Sequence, residues 1–144
     1  MASDFIKLAD GFFVAPQITP ADVETARAVG ITLIINNRPD GEETGQPEGA
    51  AIAAAAAAAG IAYVAIPVSG AGIGPEHLDA FDRAVREAGG GVLAYCRSGT
   101  RSTVLRAMAN ARAGEPVDSI IDEAAEAGYN IAGQRRALEA LSLA

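Results

Sequence analysis

The segment Val92–Ser102 reads VLAYCRSGTRS and contains the only cysteine of the chain, Cys96. Two arginines, two hydroxyl residues and a glycine follow it and complete what we call the cysteine loop: Arg97, Ser98, Gly99, Thr100 and Arg101. The pattern predicts a strand before this loop and a helix after it. The loop then lies at a helix N-terminus, where backbone N–H groups and the helix dipole stabilise an anion. The same field favours a thiolate, so we predict that Cys96 is a covalent nucleophile in an anion-binding loop.

A lone cysteine is also commonly a buried core residue that does no chemistry. The neighbours of Cys96 argue against that interpretation, because Arg97 and Arg101 would be buried charges in a packed core. An unpaired buried charge is strongly destabilising, whereas two guanidinium groups beside hydroxyl groups suit a bound oxyanion.

The composition of the whole chain restricts its class. The chain has 144 residues, enough for one domain, and its formal net charge of −7 disfavours nucleic acid and anionic membrane surfaces as partners. Asp4, Lys7 and Asp10 stand where an export signal would be apolar. One cysteine and one histidine supply neither an internal disulfide nor a zinc site, and no cofactor is indicated. We expect a cytoplasmic protein with a single domain over residues 1–144.

Strand-like and helix-like patterns alternate along the chain. Strands are predicted at Phe5–Ala9 and Phe12–Ala15, as a hairpin, and at Ile31–Asn36, Ile61–Val68 and Gly91–Tyr95. Helices are predicted at Pro20–Val29, Pro47–Ala59, His77–Ala88, Ser102–Ala113, Pro116–Ala127 and Ile131–Leu143. This alternation predicts an α/β fold with a mostly parallel central sheet and helices on both faces. Ligands of such sheets bind at the carboxyl ends of the strands, where Cys96 and the loops Asn37–Glu43 and Ser69–Gly74 fall.

Several conspicuous residues are interpreted as structural. The alanine run Ala50–Ala59 is predicted to be a helix that packs on the sheet, because it is far shorter than the about 20 apolar residues of a membrane span. His77 is interpreted as a solvated or capping residue at a helix start. Four charged residues fit solvated helix faces: Glu123, Glu126, Arg135 and Arg136.

Four motifs together resemble the beta-lactamase-hydrolase-like, phosphatase-like domain family of bacteria. They are INNRPDGEE at Ile35–Glu43, AIPV at Ala65–Val68, AYCRSGTRS at Ala94–Ser102 and EAGYN at Glu126–Asn130. The resemblance runs through nearly the whole chain and implies a fold similar to that of the cysteine-dependent dual-specificity phosphatases. The cysteine loop also resembles that of single-domain rhodaneses, CRSGxRS, and members of the family are described both as phosphatases and as sulfurtransferases.

Two features of the sequence favour sulfur transfer over phosphate ester cleavage. Cysteine phosphatases have five residues between cysteine and arginine, whereas Cys96 and Arg101 are separated by four, so the ring is tighter and suits a persulfide or thiosulfonate better than a phosphate. Expelling an alcohol or phenol oxygen also requires a general acid, which contributes about 10²–10⁴ in rate. The loop Ser69–Gly74, where dual-specificity phosphatases carry that acid, contains none.

Two residues have alternative roles. Asp40 could donate a proton from the neighbouring loop, or it could belong to a tight Pro-Asp-Gly turn. Ser102 could donate to the Cys96 thiolate, or it could be the N-cap of the following helix.

The sequence-based hypothesis is a sulfurtransferase that forms a persulfide on Cys96 and passes the sulfur to a small thiol such as glutathione. Its donor is a small anion such as thiosulfate or a persulfide. The predicted catalytic residues are Cys96, Arg101, Ser102 and Asp40, and the predicted substrate-binding residues are Arg97, Ser98, Gly99 and Thr100. The first alternative is hydrolysis of phosphomonoesters through a phosphocysteine, and the second is a non-catalytic module that binds oxyanions or persulfides.

Overall fold

The computed structural model describes residues 5–143, and a five-stranded sheet forms its centre. The strands are β1 (Ile6–Ala9), β2 (Phe12–Ala15), β3 (Ile31–Asn36), β4 (Ala62–Ala65) and β5 (Gly91–Tyr95). Their order across the sheet is β1-β2-β5-β3-β4. β1 and β2 form the predicted antiparallel hairpin, and all other neighbouring strands are parallel. The strand that precedes Cys96 is therefore in the middle of the sheet.

Helices cover both faces of this sheet. They are α1 (Pro20–Ala28), α2 (Gly49–Ala58), α3 (Pro75–Glu87), α4 (Thr100–Arg112), α5 (Val117–Glu126) and α6 (Arg135–Ser142), and a 3-10 turn (Ala132–Gln134) precedes α6. Apolar side chains of α1 and α2 pack on one face, and those of α3 and α4 pack on the other. α5 and α6 pack against α4. The predicted fold class, a mostly parallel α/β sheet between two helical layers, is confirmed.

The central strand β5 is apolar throughout because both of its faces are covered. Val92 and Ala94 belong to the core shared with α3 and α4, whereas Leu93 and Tyr95 belong to the core shared with α1 and α2. Parallel strands buried on both faces have this continuous apolar pattern. Cys96 therefore directly follows a strand that is packed on both faces.

Two predicted elements are shorter than expected. The segment predicted as the strand Ile61–Val68 is regular only over β4. Ile66 and Val68 still donate their N–H groups, at 2.9 Å each, to the chain that leaves β3. Pro67 between them has no N–H and cannot extend the ladder. The predicted helix Ile131–Leu143 is divided into the 3-10 turn and α6.

The alanine run forms α2 and packs on the sheet through Ile52 and Ala56, which are fully buried. Its predicted packing role is confirmed, since small side chains let this helix lie close to the strands. Among residues 5–143, no helix is both long enough and apolar enough to cross a membrane.

His77 caps the start of α3, as predicted. The Gly74 N–H donates to His77 Nδ1 at 2.9 Å, and His77 Nε2 lies 3.1 Å from the Pro67 carbonyl oxygen. Since Nδ1 accepts and a carbonyl oxygen can only accept, the proton is on Nε2. The ring thus joins the helix start to the chain after β4.

One of the charged residues predicted to be solvated, Glu123, is half-buried. Glu123 forms an ion pair with Arg106, whose guanidinium carbon lies 4.9 Å from the centroid of the Phe12 ring. This pair attaches α5 to α4 and to the sheet. The other three charged residues of that group are exposed as predicted: Glu126, Arg135 and Arg136. Arg135 also pairs with Asp118 at 2.9 Å on this exposed surface.

Candidate active site

Cys96 follows β5 directly, at the carboxyl end of the central strand, and its side chain is fully buried. Its N–H donates to the Ala15 carbonyl at 3.3 Å, and the Gln17 N–H donates to the Arg97 carbonyl at 3.3 Å. These bonds attach the start of the cysteine loop to the chain that leaves β2. The Gly99 N–H donates to Cys96 Sγ at 3.1 Å. A backbone N–H directed at the sulfur stabilises negative charge there.

The cysteine loop ends in the predicted helix start, but the helix begins earlier than expected. Gly99 has a left-handed backbone (φ 92°) and is the N-cap of α4, which starts at Thr100. The Ser98 hydroxyl accepts the Thr100 N–H at 3.3 Å and donates to Thr100 Oγ1 at 3.0 Å. Ser102 lies inside the helix, so the interpretation of Ser102 as its N-cap is wrong.

Arg101 is fixed by the two loops that face the cysteine loop. Its Nη1 donates to Glu42 at 2.7 Å and to the Val68 carbonyl at 2.8 Å, and its Nη2 donates to Glu42 at 2.9 Å. The bidentate pair with Glu42 uses the Nη1/Nη2 edge of the guanidinium, so the Nε–H does not take part in this pair. Glu42, and secondarily the charge of Cys96, raise the pKa of Arg101. Cys96 and Arg101 are therefore close enough to act on one ligand.

The loop after β3 places two carboxylates among three guanidinium groups. The buried Arg38 donates to Glu42 at 2.9 Å and to Glu43 at 2.6 Å, and Glu43 also pairs with Arg97 at 3.1 Å. The hydrogen bond from Arg101, followed by that from Arg38, lowers the pKa of Glu42 to about 2. Glu42 is consequently a carboxylate at neutral pH. Both arginines of the cysteine loop thus share their charge with an acid, Arg97 with Glu43 and Arg101 with Glu42.

A cavity of about 280 Å³ adjoins the cysteine loop at Thr100 and Arg101. Its apolar lining is formed by Val68, Ile73, Val104 and Met108. The Ser69–Gly74 loop forms part of the wall and brings no acidic side chain to it. Within the described part of the chain, no group of three or more His, Cys, Asp or Glu side chains is arranged to hold a metal ion. An apolar cavity next to a guanidinium suits an organic anion, whose hydrocarbon part would occupy the cavity and whose charged end would contact Arg101.

Asp40 lies in the loop after β3 but is directed to a different element. Its Oδ1 accepts the Gly49 N–H at 2.8 Å, at the first turn of α2. Gly41, the next residue, has a left-handed backbone (φ 77°), as a tight turn requires. The side chain thus caps a helix start, where a carboxylate is stabilised by the helix dipole. A role of Asp40 as a general acid stays a prediction.

Ser102 is fully buried, and its hydroxyl donates to Asn37 Oδ1 at 2.7 Å. The Asn37 amide in turn donates to the Ile66 carbonyl at 2.9 Å, and its backbone N–H donates to the Tyr95 carbonyl at 2.8 Å. The Ser102 proton is therefore directed at Asn37 in this structure. Its donation to the Cys96 thiolate remains a prediction that requires a rotation of the hydroxyl.

Sequence reasoning did not single out several residues that contact the cysteine loop or its arginines. Gln17, Glu42, Glu43 and Tyr129 make these contacts. Asn37 and Arg38 lie one contact further away, Asn37 on Ser102 and Arg38 on the two glutamates. The signal was present for most of them, because Asn37 through Glu43 are inside the INNRPDGEE motif and Tyr129 is in EAGYN. One arginine followed by two glutamates in a single strand-end loop is the pattern of an ion-pair network, and this network could have been predicted from Arg38, Glu42 and Glu43.

A buried cysteine at the carboxyl end of the central parallel strand, with an arginine in the first turn of the next helix, defines the cysteine-phosphatase-like class of α/β domains. The kinase associated phosphatase, in a form whose catalytic-site cysteine is replaced by serine, has the same fold. Its TM-score to this chain is 0.73 at 14% sequence identity, over 96% of this chain and 93% of that one.

The chain belongs to the family of the phosphatase-like domain of beta-lactamase hydrolase-like proteins, whose family model matches residues 4–113. The Agrobacterium fabrum beta-lactamase hydrolase-like protein is 37% identical over 140 residues, which are 96% of this chain and 32% of that protein. The chain thus spans about a third or less of the length of the curated relatives it matches. A Neisseria meningitidis Z2491 protein described as a candidate phosphatase has a crystal structure with TM-score 0.85 and 38% identity, covering 95% of this chain and 97% of that chain. The family expected from the four motifs is confirmed.

Proposed function

We propose that this domain hydrolyses phosphomonoesters through a covalent phosphocysteine at Cys96. The observation that carries the proposal is the Arg101 guanidinium, which interacts with the Cys96 sulfur and whose Nε/Nη2 edge is not used by the pair with Glu42. Two parallel N–H donors match two oxygens of a tetrahedral phosphate. The family, named for its phosphatase-like domain, and the similarity to the Neisseria protein support this reading over the sulfur transfer favoured by the sequence.

The proposed reaction has two displacement steps. In the first, the Cys96 thiolate attacks phosphorus, the S–P bond forms, and the ester P–O bond breaks so that the oxygen leaves with the electron pair. In the second, water attacks phosphorus and a new P–O bond forms, one proton of the water passes to solvent, and the S–P bond breaks with its electron pair on sulfur, so that inorganic phosphate and the thiolate are released. The Gly99 N–H and the Arg101 guanidinium stabilise the charge on sulfur and on the phosphoryl oxygens in both steps.

The surroundings of the acids restrict the leaving group. Glu42 is ionised at neutral pH, because its pKa is about 2, and so has no proton to give. Asp40 accepts a hydrogen bond at the start of α2, and the Ser69–Gly74 loop has no acid. We therefore propose substrates whose leaving group is acidic enough to depart as an anion, such as esters of 4-nitrophenol and other acidic phenols. The apolar cavity at Thr100 and Arg101 has room for the hydrocarbon part of such a group.

Sulfur transfer is the second candidate, favoured by the four-residue spacing between Cys96 and Arg101. In that reaction the thiolate attacks the outer sulfur of thiosulfate, a new S–S bond forms, the old S–S bond breaks, and sulfite leaves with the electron pair. A small thiol such as glutathione then attacks the persulfide, removes the outer sulfur and releases the Cys96 thiolate. Neither step requires a general acid.

A side-by-side turnover assay separates these functions. The wild-type domain is incubated with 4-nitrophenyl phosphate or with thiosulfate and glutathione, and Cys96→Ser is the blank. We expect phosphate release that depends on Cys96. Sulfite release without phosphate release would replace the proposal by sulfur transfer. The absence of both would leave the non-catalytic anion-binding module.

A further inference from the structure

Tyr129 reaches the cysteine loop from the end of α5. The helix ends in a Schellman motif, in which the Tyr129 N–H donates to the Ala124 carbonyl at 2.8 Å and the Gly128 N–H donates to the Ala125 carbonyl at 3.0 Å. Gly128 has the left-handed backbone (φ 98°) that this motif requires. The Schellman motif therefore fixes the backbone position of Tyr129 at the end of α5.

The Tyr129 hydroxyl donates to the Ser98 carbonyl at 3.0 Å. Ser98 carbonyl and Gly99 N–H belong to the same peptide unit, and in a trans peptide they point in opposite directions. The Gly99 N–H is the group that donates to Cys96 Sγ. A bond that holds the carbonyl on the Tyr129 side therefore holds the N–H on the sulfur side.

We propose that Tyr129 is a positioning residue that fixes the Ser98–Gly99 peptide in the orientation that stabilises the Cys96 thiolate. If the peptide rotated, the Ser98 carbonyl would face the sulfur and repel its negative charge. The rotation would also break the bond to Tyr129, so the phenol biases the loop toward the thiolate-binding form.

Two further observations agree with this role. A Cβ atom built on Gly99 would overlap Tyr129 Oη, so glycine allows both the left-handed backbone and the close approach of the phenol. Burial, followed by the charge of Cys96, raises the pKa of Tyr129 above its ordinary value of 10.0. The phenol is consequently protonated, and able to donate, over the whole neutral range.

The test compares Tyr129→Phe with Tyr63→Phe as a matched control. Tyr63 is also half-buried, but its hydroxyl accepts a hydrogen bond from the Asn36 amide at 2.9 Å, whereas that of Tyr129 donates to the cysteine loop. Each variant loses one oxygen atom, so both are expected to fold. The measurements are the pH profile of Cys96 alkylation by iodoacetamide, kcat with 4-nitrophenyl phosphate, and the melting temperature.

For Tyr129→Phe we expect an alkylation profile displaced to higher pH and a loss of about fivefold in kcat, the size expected for one net hydrogen bond. The limiting alkylation rate at high pH should match that of the wild type, because the sulfur is then fully ionised. Tyr63→Phe should retain the wild-type profile. A Tyr129→Phe profile that superimposes on the wild type, with only the melting temperature lowered, would reduce Tyr129 to a structural contact and overturn the inference.

The inference rests on the proposed function only in requiring a Cys96 thiolate. If the wild-type domain turns over no phosphate ester, the proposed function fails, yet the alkylation profile still tests Tyr129. If phosphate esters are hydrolysed and the profile does not move, the inference alone fails.

Discussion

At the scale of single residues, Asp40 and Glu42 lie two positions apart in one loop and have different surroundings. Glu42 joins Arg101 to Arg38 and is held as a carboxylate. Asp40 accepts a hydrogen bond from Gly49 at the start of α2. These two acids therefore position arginines and a helix, which accounts for a site suited to leaving groups that need no proton.

Replacing Asp40 by Asn tests directly whether Asp40 holds the start of α2 or acts as a general acid. The Asn side chain retains an oxygen that can accept the Gly49 N–H, so the turn and α2 should be preserved. We expect kcat to change by less than about threefold for both 4-nitrophenyl phosphate and phenyl phosphate. A loss of about a hundredfold confined to phenyl phosphate, the poorer leaving group, would identify Asp40 as the general acid.

Glu42 should also make the free energy of unfolding depend on pH in the acidic range. Its pKa is about 2 in the folded protein, against an ordinary value of 4.5, so the unfolded chain takes up the proton first as the pH falls. The stabilisation is complete above the ordinary value and is lost as the pH falls toward the folded value. We expect Glu42→Gln to unfold more easily at neutral pH and to lose less stability on acidification than the wild type.

Urea unfolding at about pH 7, 5 and 3 measures this difference. Glu126→Gln, which changes an exposed glutamate on α5, is the control for removing one negative charge. Identical losses of unfolding free energy in the wild type and Glu42→Gln between the upper and lower pH would contradict the assignment.

At the scale of helices and strands, a chain of hydrogen bonds attaches α4 to the ends of two strands. Ser102 in the first turn of the helix donates to Asn37 after β3, and Asn37 donates to Ile66 after β4. This chain holds Arg101, the residue before Ser102, against the loops that bind it. The start of α4 is thus positioned by polar contacts in addition to the apolar core.

Removing the Ser102 hydroxyl should weaken the attachment. In Ser102→Ala the buried Asn37 oxygen loses its donor, so we expect a loss of about 1–3 kcal/mol in the free energy of unfolding. Ser119→Ala changes an exposed serine on α5 and should cost no more than about 0.5 kcal/mol. Urea titrations of the two variants measure the difference, and equal losses would show that the Ser102–Asn37 bond contributes nothing.

The sequence predicted the elements best where one physical signal dominates. The strands Ile31–Asn36 and Gly91–Tyr95 have their predicted bounds because a short apolar run between glycine or polar residues permits little else. The strand around β4 was overextended because the apolar residues continue after pairing becomes irregular at Pro67. A run of apolar residues does not show where the strand stops pairing with its neighbour.

The candidate site was predictable only in its contiguous part. Cys96 through Arg101 are adjacent in sequence, so their chemistry could be read as one motif. Glu42 is 59 residues from Arg101, and Tyr129 is 31 residues from Ser98. Pairings at such separations depend on which strand ends and helix ends meet, which the sequence pattern alone does not specify.

At the scale of the whole molecule, the sheet topology concentrates positive charge in an acidic protein. The formal net charge is −7, yet three guanidinium groups meet beside the end of the central strand: Arg38, Arg97 and Arg101. The crossover connections bring the loops after β3 and β4 to the same edge as the loop after β5. The fold thus builds the proposed anion site from segments far apart in sequence.

The covalent intermediate on Cys96 is the most direct test of this account. The wild-type domain is mixed with 4-nitrophenyl phosphate, quenched within the first turnovers and measured by intact-protein and peptide mass spectrometry, with Cys96→Ser treated in parallel. We predict one added phosphoryl group on the Cys96 peptide of the wild type and none on the variant. An unmodified Cys96 peptide under phosphate ester, together with one added sulfur atom when thiosulfate is the substrate, would contradict the account and assign the site to sulfur transfer.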